Sequence, residues 1–243
     1  MNHSSALQIL FSDDHVVAIN KPSGLLVHRS RIDVHAREFA VQQLRDQIGK
    51  QVYLVHRIDR PTSGILLFAL NPDCARELSN QFADRSINKS YRAIVRGHTP
   101  DHDRWEQALL EKHDRISDRN AADNKLPQPA ITEYKTLQRW EIPFSAGKYT
   151  SSRYSEVSIQ PLTGRKHQIR RHFNHMSHPI IGDTTHGDSR HNKLFREQLG
   201  VSRLLLVAKE LEFVHPSTGQ TIKLEASVGT EFESAVQQLN RFA

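Results

Sequence analysis

This 243-residue chain contains one cysteine, Cys74. A single thiol excludes an internal disulfide framework and any zinc site built from several thiolates, and it fits a reducing cytoplasm. No apolar run approaches the roughly 20 residues that span a bilayer, so no membrane partner is expected. The opening MNHSSALQ lacks the charged and apolar regions of a secretory signal. Internal repeats and low-complexity tracts are absent as well. There is no glycine-rich phosphate loop and no Asp-Phe-Gly triplet. The His56-Arg57-Ile58-Asp59 string, with Ile58 interrupting the order of a kinase catalytic loop, therefore does not indicate a kinase.

Positive charge is what the chain has in excess. Lys and Arg number 33 against 27 Asp and Glu, a formal net charge of +6 with 15 His besides. A pI near 9.5 fits a polyanionic partner, most simply nucleic acid; the plainer alternative is a merely basic soluble protein. The length allows one large domain or two small ones. We expect a single domain over residues 1–243, with 1–6 as a tail.

The chain is organised around Val55 to Leu70, VHRIDRPTSGILLFAL. His56, Arg57, Asp59 and Arg60 crowd together, Pro61-Thr62-Ser63-Gly64 shapes a loop, and Ile65 to Leu70 follow without a charge. That apolar run reads as a buried strand, and a rigid strand beneath a loop is a common way to present a reactive side chain. Cations favour the ionised form of a neighbouring carboxylate. An ionised carboxylate serves as a nucleophile or a base rather than as a general acid. The plainer alternative is a surface ion pair shaping the loop.

Other elements follow from pattern. Leu7 to Phe11 and His15 to Asn20 read as a hairpin, and Lys21-Pro22-Ser23-Gly24 as a turn. Val34 to Ile48 has helical spacing and Gly49 to end it; Asn71-Pro72 caps a helix expected to run to about Arg85 and to hold Cys74. Residues 89–97, KSYRAIVRG, alternate as a strand, in which Tyr91 is a core aromatic on the plain reading. Residues 98–129 read as a long exposed loop, Ala130 to Trp140 and Arg153 to Pro161 as strands, Leu204 to Phe213 as another strand, and Val228 to Phe242 as a closing helix. Arg165 to Met176 reads as a helix crowded with Arg165, Lys166, His167, Arg170, Arg171 and His172, a surface suited to phosphates. His172, His175 and His178 spread around such a helix without an acidic or thiolate partner, so no metal is expected.

Three stretches together carry a likeness. HRIDRPTSG running into an apolar strand, KSYRAIVRG, and GRKHQIR followed by HPIIGD occur in the order of the motifs of RluA-type pseudouridine synthases, which this chain resembles. VVAINKPSGLLVHRS is similar to the opening of the same family, and because the core begins almost at once, no N-terminal S4-type RNA-binding domain is expected. The resemblance implies an α+β fold with a mixed, mostly antiparallel sheet flanked by helices and a basic cleft. It implies isomerisation of uridine to pseudouridine in RNA with no cofactor and no metal. By position it assigns Asp59 as catalytic, Arg57 to the flipped nucleotide, Tyr91 to the base, and Arg170 to the place of the arginine that pairs with the catalytic Asp. Arg165 and His167 are expected among the RNA-binding residues. Within the family the likeness is to a tRNA-acting subtype whose target is uridine 65, with a monomer expected. Ribosomal RNA as substrate, a non-catalytic RNA-binding protein and a phosphodiesterase using the His-rich helix are the alternatives. Two departures stand out. His186-Gly187 lies where many members have Tyr-Gly, and Val207 lies where a Leu-His-Ala triplet is usual, which removes any role for that His.

Overall fold

Val16–Lys21 and Ser63–Ala69 are apolar for nearly their whole length and buried on both faces, which is why they lie inside a sheet rather than at its edge. The computed structural model describes residues 6–28, 38–110 and 126–242. In chain order the elements begin with β1 (Gln8–Ser12), β2 (Val16–Lys21), α1 (Ala40–Ile48), β3 (Tyr53–Leu54), β4 (Ser63–Ala69) and α2 (Pro72–Ala83). There follow β5 (Asn88–Arg96), β6 (His102–Glu106), β7 (Ile131–Ile142), β8 (Ser152–Pro161), α3 (Gln168–His175) and α4 (Ser189–Leu199). The chain closes with β9 (Leu206–Val214), β10 (Thr221–Glu225) and α5 (Thr230–Leu239), which runs into a 3₁₀ turn at Asn240–Phe242.

The described residues divide into two units. The first takes those as far as Lys89 together with Ala208–Ser227. Its strands run in the order β1-β2-β4-β9, with β3 also paired to β4 and β10 to β9. The β1–β2, β2–β4, β3–β4 and β9–β10 pairings are antiparallel, and one parallel bridge joins Leu26 to Phe39. Strand alternation sorts the core onto two faces. Val16, Ala18, Ile65 and Leu67 pack with Cys74 and Leu78 of α2, whereas Val17, Ile19, Leu66 and Phe68 pack with Ala40 and Leu44 of α1. Both helices have the caps their sequences announce. Gly49 closes α1 in the left-handed region at φ 65°, and Asn71 accepts the Cys74 N–H at 2.8 Å at the start of α2.

The second unit takes the described residues from Ser90 through Val207 and from Val228 onward. Its strands run β5-β8-β7-β6, and all three pairings are antiparallel. Ile94, Trp140, Ile142 and Tyr154 face α4 and α5 through Leu194, Phe195, Phe232 and Leu239. Ala93, Val95, Val157 and Ile159 face α3 through Ile169 and Phe173, and Tyr91 packs at the margin of this second cluster.

The expected fold class holds: helices flank mostly antiparallel sheet in an α+β arrangement. Three expectations need correction. The stretch 98–129 is not loop throughout, because β6 pairs with β7 and Leu109, which is buried, bridges Gln128. The basic helix starts at Gln168, so Arg165, Lys166 and His167 precede it. Strands β3 and β10 and helix α4 were not anticipated. Residues 1–5 of the expected tail, 34–37 of the first helix and 111–125 of the long loop lie outside the described residues. Among the described residues no helix is long and apolar enough to cross a membrane. Asn71→Ala is expected to lower stability by about 1 kcal/mol through loss of the α2 cap, read as a reduced urea midpoint at unchanged slope.

Candidate active site

In the first unit the charged loop is held from below. The side chain of Lys21, at the end of β2, is fully buried (0% exposed). Its ammonium donates to the carbonyls of Pro22 at 2.8 Å, Leu25 at 2.9 Å and Arg60 at 3.0 Å. The 21–24 turn adds more links to the same loop. Ser23 Oγ donates to Pro61 O at 2.7 Å, the Gly24 N–H to Arg60 O at 2.9 Å, and Arg60 Nε to Gly24 O at 3.1 Å. Thr62 N–H closes a turn onto Asp59 O at 3.1 Å. The loop then enters β4 through Gly64, where φ is 107° and an added Cβ would lie 2.2 Å from Ala208 O, so no other residue fits without moving the backbone. Arg57 and Arg60 are exposed and Asp59 half-buried on this clamped loop.

Burial is the largest influence on Lys21 and lowers its pKa to about 7; the charge of Asp59 opposes that shift and that of Arg60 adds to it. The unfolded chain thus holds this proton more tightly than the folded one. Below about 7 both states carry the charge and its burial costs stability in full; between about 7 and the ordinary 10.5 the folded state sheds the proton and the cost fades.

Tyr91, Arg165, His167 and Arg170 lie in the second unit, Asp59 and Arg57 in the first. Arg170 is buried in α3 and forms a fork with Asp183, Nε to Oδ2 at 2.7 Å and Nη2 to Oδ1 at 2.9 Å. Asp183 Oδ1 also accepts the N–H groups of Thr185 and His186, each at 2.9 Å. Burial alone would raise the Asp183 pKa, but the Arg170 guanidinium and these N–H donors outweigh it and hold the carboxyl below its usual range. The preceding Gly182 has φ 80° and an added Cβ would lie 1.8 Å from Arg203 O, so the chain can reach Asp183 only through glycine.

His167 precedes α3 in the left-handed region, φ 56° and ψ 25°, and its Nδ1 meets His186 Nε2 at 2.9 Å. Burial, with Asp183 opposing it and Arg170 and His167 adding to it, lowers the His186 pKa to about 4, so the His186 ring meets His167 as a neutral imidazole. Arg165 is turned the other way, its Nε donating to Pro129 O at 3.3 Å. Gln168 fixes the turn before the helix. Its Oε1 accepts from Thr163 Oγ1 at 2.6 Å and the Arg165 N–H at 3.1 Å, and its Nε2 donates to Ile131 O at 2.9 Å.

The picture of α3 as an open phosphate-binding face is corrected by what its side chains touch. His172 is buried between Thr132 Oγ1 and Gln107 O, at 2.9 and 3.1 Å. Arg171 donates to Leu110 O at 2.9 Å, and His175 bonds the Gln107 side chain. These groups anchor residues 107–110 instead. His178 bonds Arg96 O at 2.8 Å, and among the described residues no three of His, Cys, Asp and Glu are grouped to hold a metal ion.

Residues 15–175 match the family model described as RNA pseudouridylate synthase. The chain belongs to that family. It is 50% identical over 222 residues to a tRNA pseudouridine synthase C of Vibrio vulnificus, covering 91% of each chain. It is 48% identical to the protein of that name from Vibrio parahaemolyticus, covering 91% of this chain and 90% of the relative. Among solved structures, human RNA Pseudouridylate Synthase Domain Containing 4 superposes with a TM-score of 0.70 over 96% of this chain and 93% of the other, at 24% identity, which speaks to the fold. As a pseudouridine synthase the chain is an isomerase.

Sequence reasoning singled out the Asp59 loop but gave no role to Lys21, Gln168, Asp183 or His186. The available signals were a lysine ending an apolar strand and an aspartate after Pro-Ile-Ile-Gly, both charged residues set in apolar surroundings. Lys21→Met is expected to destabilise the protein by about 1–3 kcal/mol, because it removes the ammonium donor from the carbonyls of Pro22, Leu25 and Arg60. Denaturation across pH should show the deficit growing as pH rises above about 7, since only the wild type then relieves its buried charge.

Proposed function

We propose that this synthase converts uridine to pseudouridine in tRNA, with uridine 65, where the T stem meets the acceptor stem, as its target and Asp59 as the catalytic carboxylate. The observation that carries the reading is the clamped loop: Asp59 stands on a turn tied by Lys21, Ser23 and Gly24 and joined directly to buried β4. Such rigidity suits a group that must meet one atom of a substrate, whereas a loop that merely shaped a surface would need none of it. The names of the relatives support tRNA as the substrate, since identity near 50% runs through almost the whole of each chain.

The chemistry is an exchange of bonds within one nucleotide. The bond from C1′ to N1 breaks, the base turns, a bond from C1′ to C5 forms, the C5 proton is lost and N1 gains one. There is no redox change and no net hydrolysis. A target inside a helix has to be flipped out, at a cost of a few kcal/mol. Arg57, exposed two residues before Asp59, is the side chain we assign to the vacated space or to the flipped nucleotide. Asp59 then attacks C1′ or C6, or removes a proton from the sugar. Tyr91, at the margin of the α3 cluster, stacks on the base and assists loss of the C5 proton. Arg170, aimed by Asp183, supplies the guanidinium that the motif pairs with the catalytic carboxylate. Arg165 and His167 contact the RNA beside the helix start.

Asp59→Asn is expected to bind unmodified tRNA as the wild type does and to release no tritium from tRNA labelled at uridine C5. Tritium release near the wild-type rate would remove Asp59 from the reaction. Tyr91→Phe is expected to fold and bind, with slowed release; a variant that fails to fold would make Tyr91 a core residue instead.

A further inference from the structure

His56 has no part in the chemistry just described, yet it stands three residues before Asp59 and makes a bond unusual for a strand. The short strand β3 pairs with β4 through Tyr53 to Ala69 and Leu54 to Phe68. Antiparallel pairing continued one step further would bring residue 55 opposite Leu67. The chain departs instead, and the Leu67 N–H donates to His56 Nε2 at 2.9 Å. Strand β2 occupies the other edge of β4 here, with Ala18 opposite Leu67. The imidazole thus supplies the acceptor that the departing backbone withdraws, and a buried strand N–H is not left unpaired.

The ring is held in place by more than this bond. It stacks on Phe82 of α2 with centroids 4.4 Å apart and planes 21° from parallel. Because Nε2 accepts, the proton of the neutral ring is on Nδ1. Burial, with the charge of Lys89 adding to it, lowers the pKa to about 3, so the acceptor persists at neutral pH.

We propose that His56 is a positioning residue of the reaction: by taking the Leu67 N–H as a strand carbonyl would, it fixes the point at which the chain leaves the sheet to present Arg57 and Asp59. Lys21 and the 21–24 turn secure the far end of the loop at Arg60 and Pro61, and His56 secures the near end. The proposal rests on Asp59 being the reacting carboxylate.

Two variants separate the bond from the packing. His56→Phe keeps a ring on Phe82 and removes the acceptor. His56→Gln places an amide oxygen at a similar reach from the backbone and restores it. Single-turnover conversion of unmodified tRNA is measured with each, alongside the dissociation constant for the same tRNA, with Asp59→Asn run in parallel. His56→Phe is expected to bind like the wild type and to react about 10²-fold more slowly, as misplacement of a reacting group by about 1 Å does. His56→Gln is expected to recover most of the rate. A His56→Phe protein that reacts at the wild-type rate overturns the proposal, as does a folded His56→Gln protein that stays about 10²-fold slow. If His56→Phe does not fold, His56→Gln decides alone. Activity in Asp59→Asn would instead sink the assignment of Asp59, whereas an inactive Asp59→Asn beside a fully active His56→Phe would sink the role of His56 only.

Discussion

A buried ammonium ringed by three backbone carbonyls is the constraint on which the proposed active-site loop depends. Lys21 has three donors, and Pro22, Leu25 and Arg60 take all of them. A lysine in that position costs desolvation energy, which its lowered pKa reports. In return it ties the end of one central strand to the loop that opens the next. Removing it would take a donor from each carbonyl and leave Arg60 O only the Gly24 N–H, so the arrangement is held as a set rather than as separate contacts. The sheet beneath supplies the rest of the rigidity, because β2 and β4 are packed on both faces and have little freedom to shift.

The second unit uses a comparable device with the opposite sign. Asp183 is a buried carboxylate that takes two bonds from Arg170 and two from backbone N–H groups. This leaves the guanidinium planar, ionised and aimed, which a lysine would not achieve at the same place. The same loop carries His186, whose ring meets His167 just before α3. Arg170 and His167, both read as substrate-binding residues from the family motif, are therefore fixed by one short loop after Gly182.

Much of the fold was legible where a strand or helix is buried on a regular face. Ile65 to Leu70 read as a strand because an uncharged run between turn residues has few other uses, and α2 read correctly from Asn71-Pro72 because those residues satisfy a helix start. Strand β6 did not, since its sequence is His-Asp-Arg-Trp-Glu: an edge strand exposed to solvent shows charge rather than alternation. Helix α4 was hidden for a similar reason. Only Leu194, Phe195 and Leu199 are buried on it, and its signals are the capping Asp188 and the left-handed Gly200. The basic run at 165–172 was visible as charge, but sequence could not say that Arg170 and His172 turn inward and Arg165 outward. That depends on the left-handed turn at His167 and on Gln168, whose amide nitrogen bonds Ile131 O, a residue distant in the chain.

The proposed reaction has this family member acting on one uridine of tRNA through its own side chains. The most direct test is to incubate the purified protein with unmodified tRNA in the presence of a chelator and to map pseudouridine by carbodiimide adduct and primer extension. A single new stop reporting uridine 65 is the predicted result. A stop at another position would contradict the assigned target, and no stop with tRNA binding intact would contradict the proposed catalysis itself.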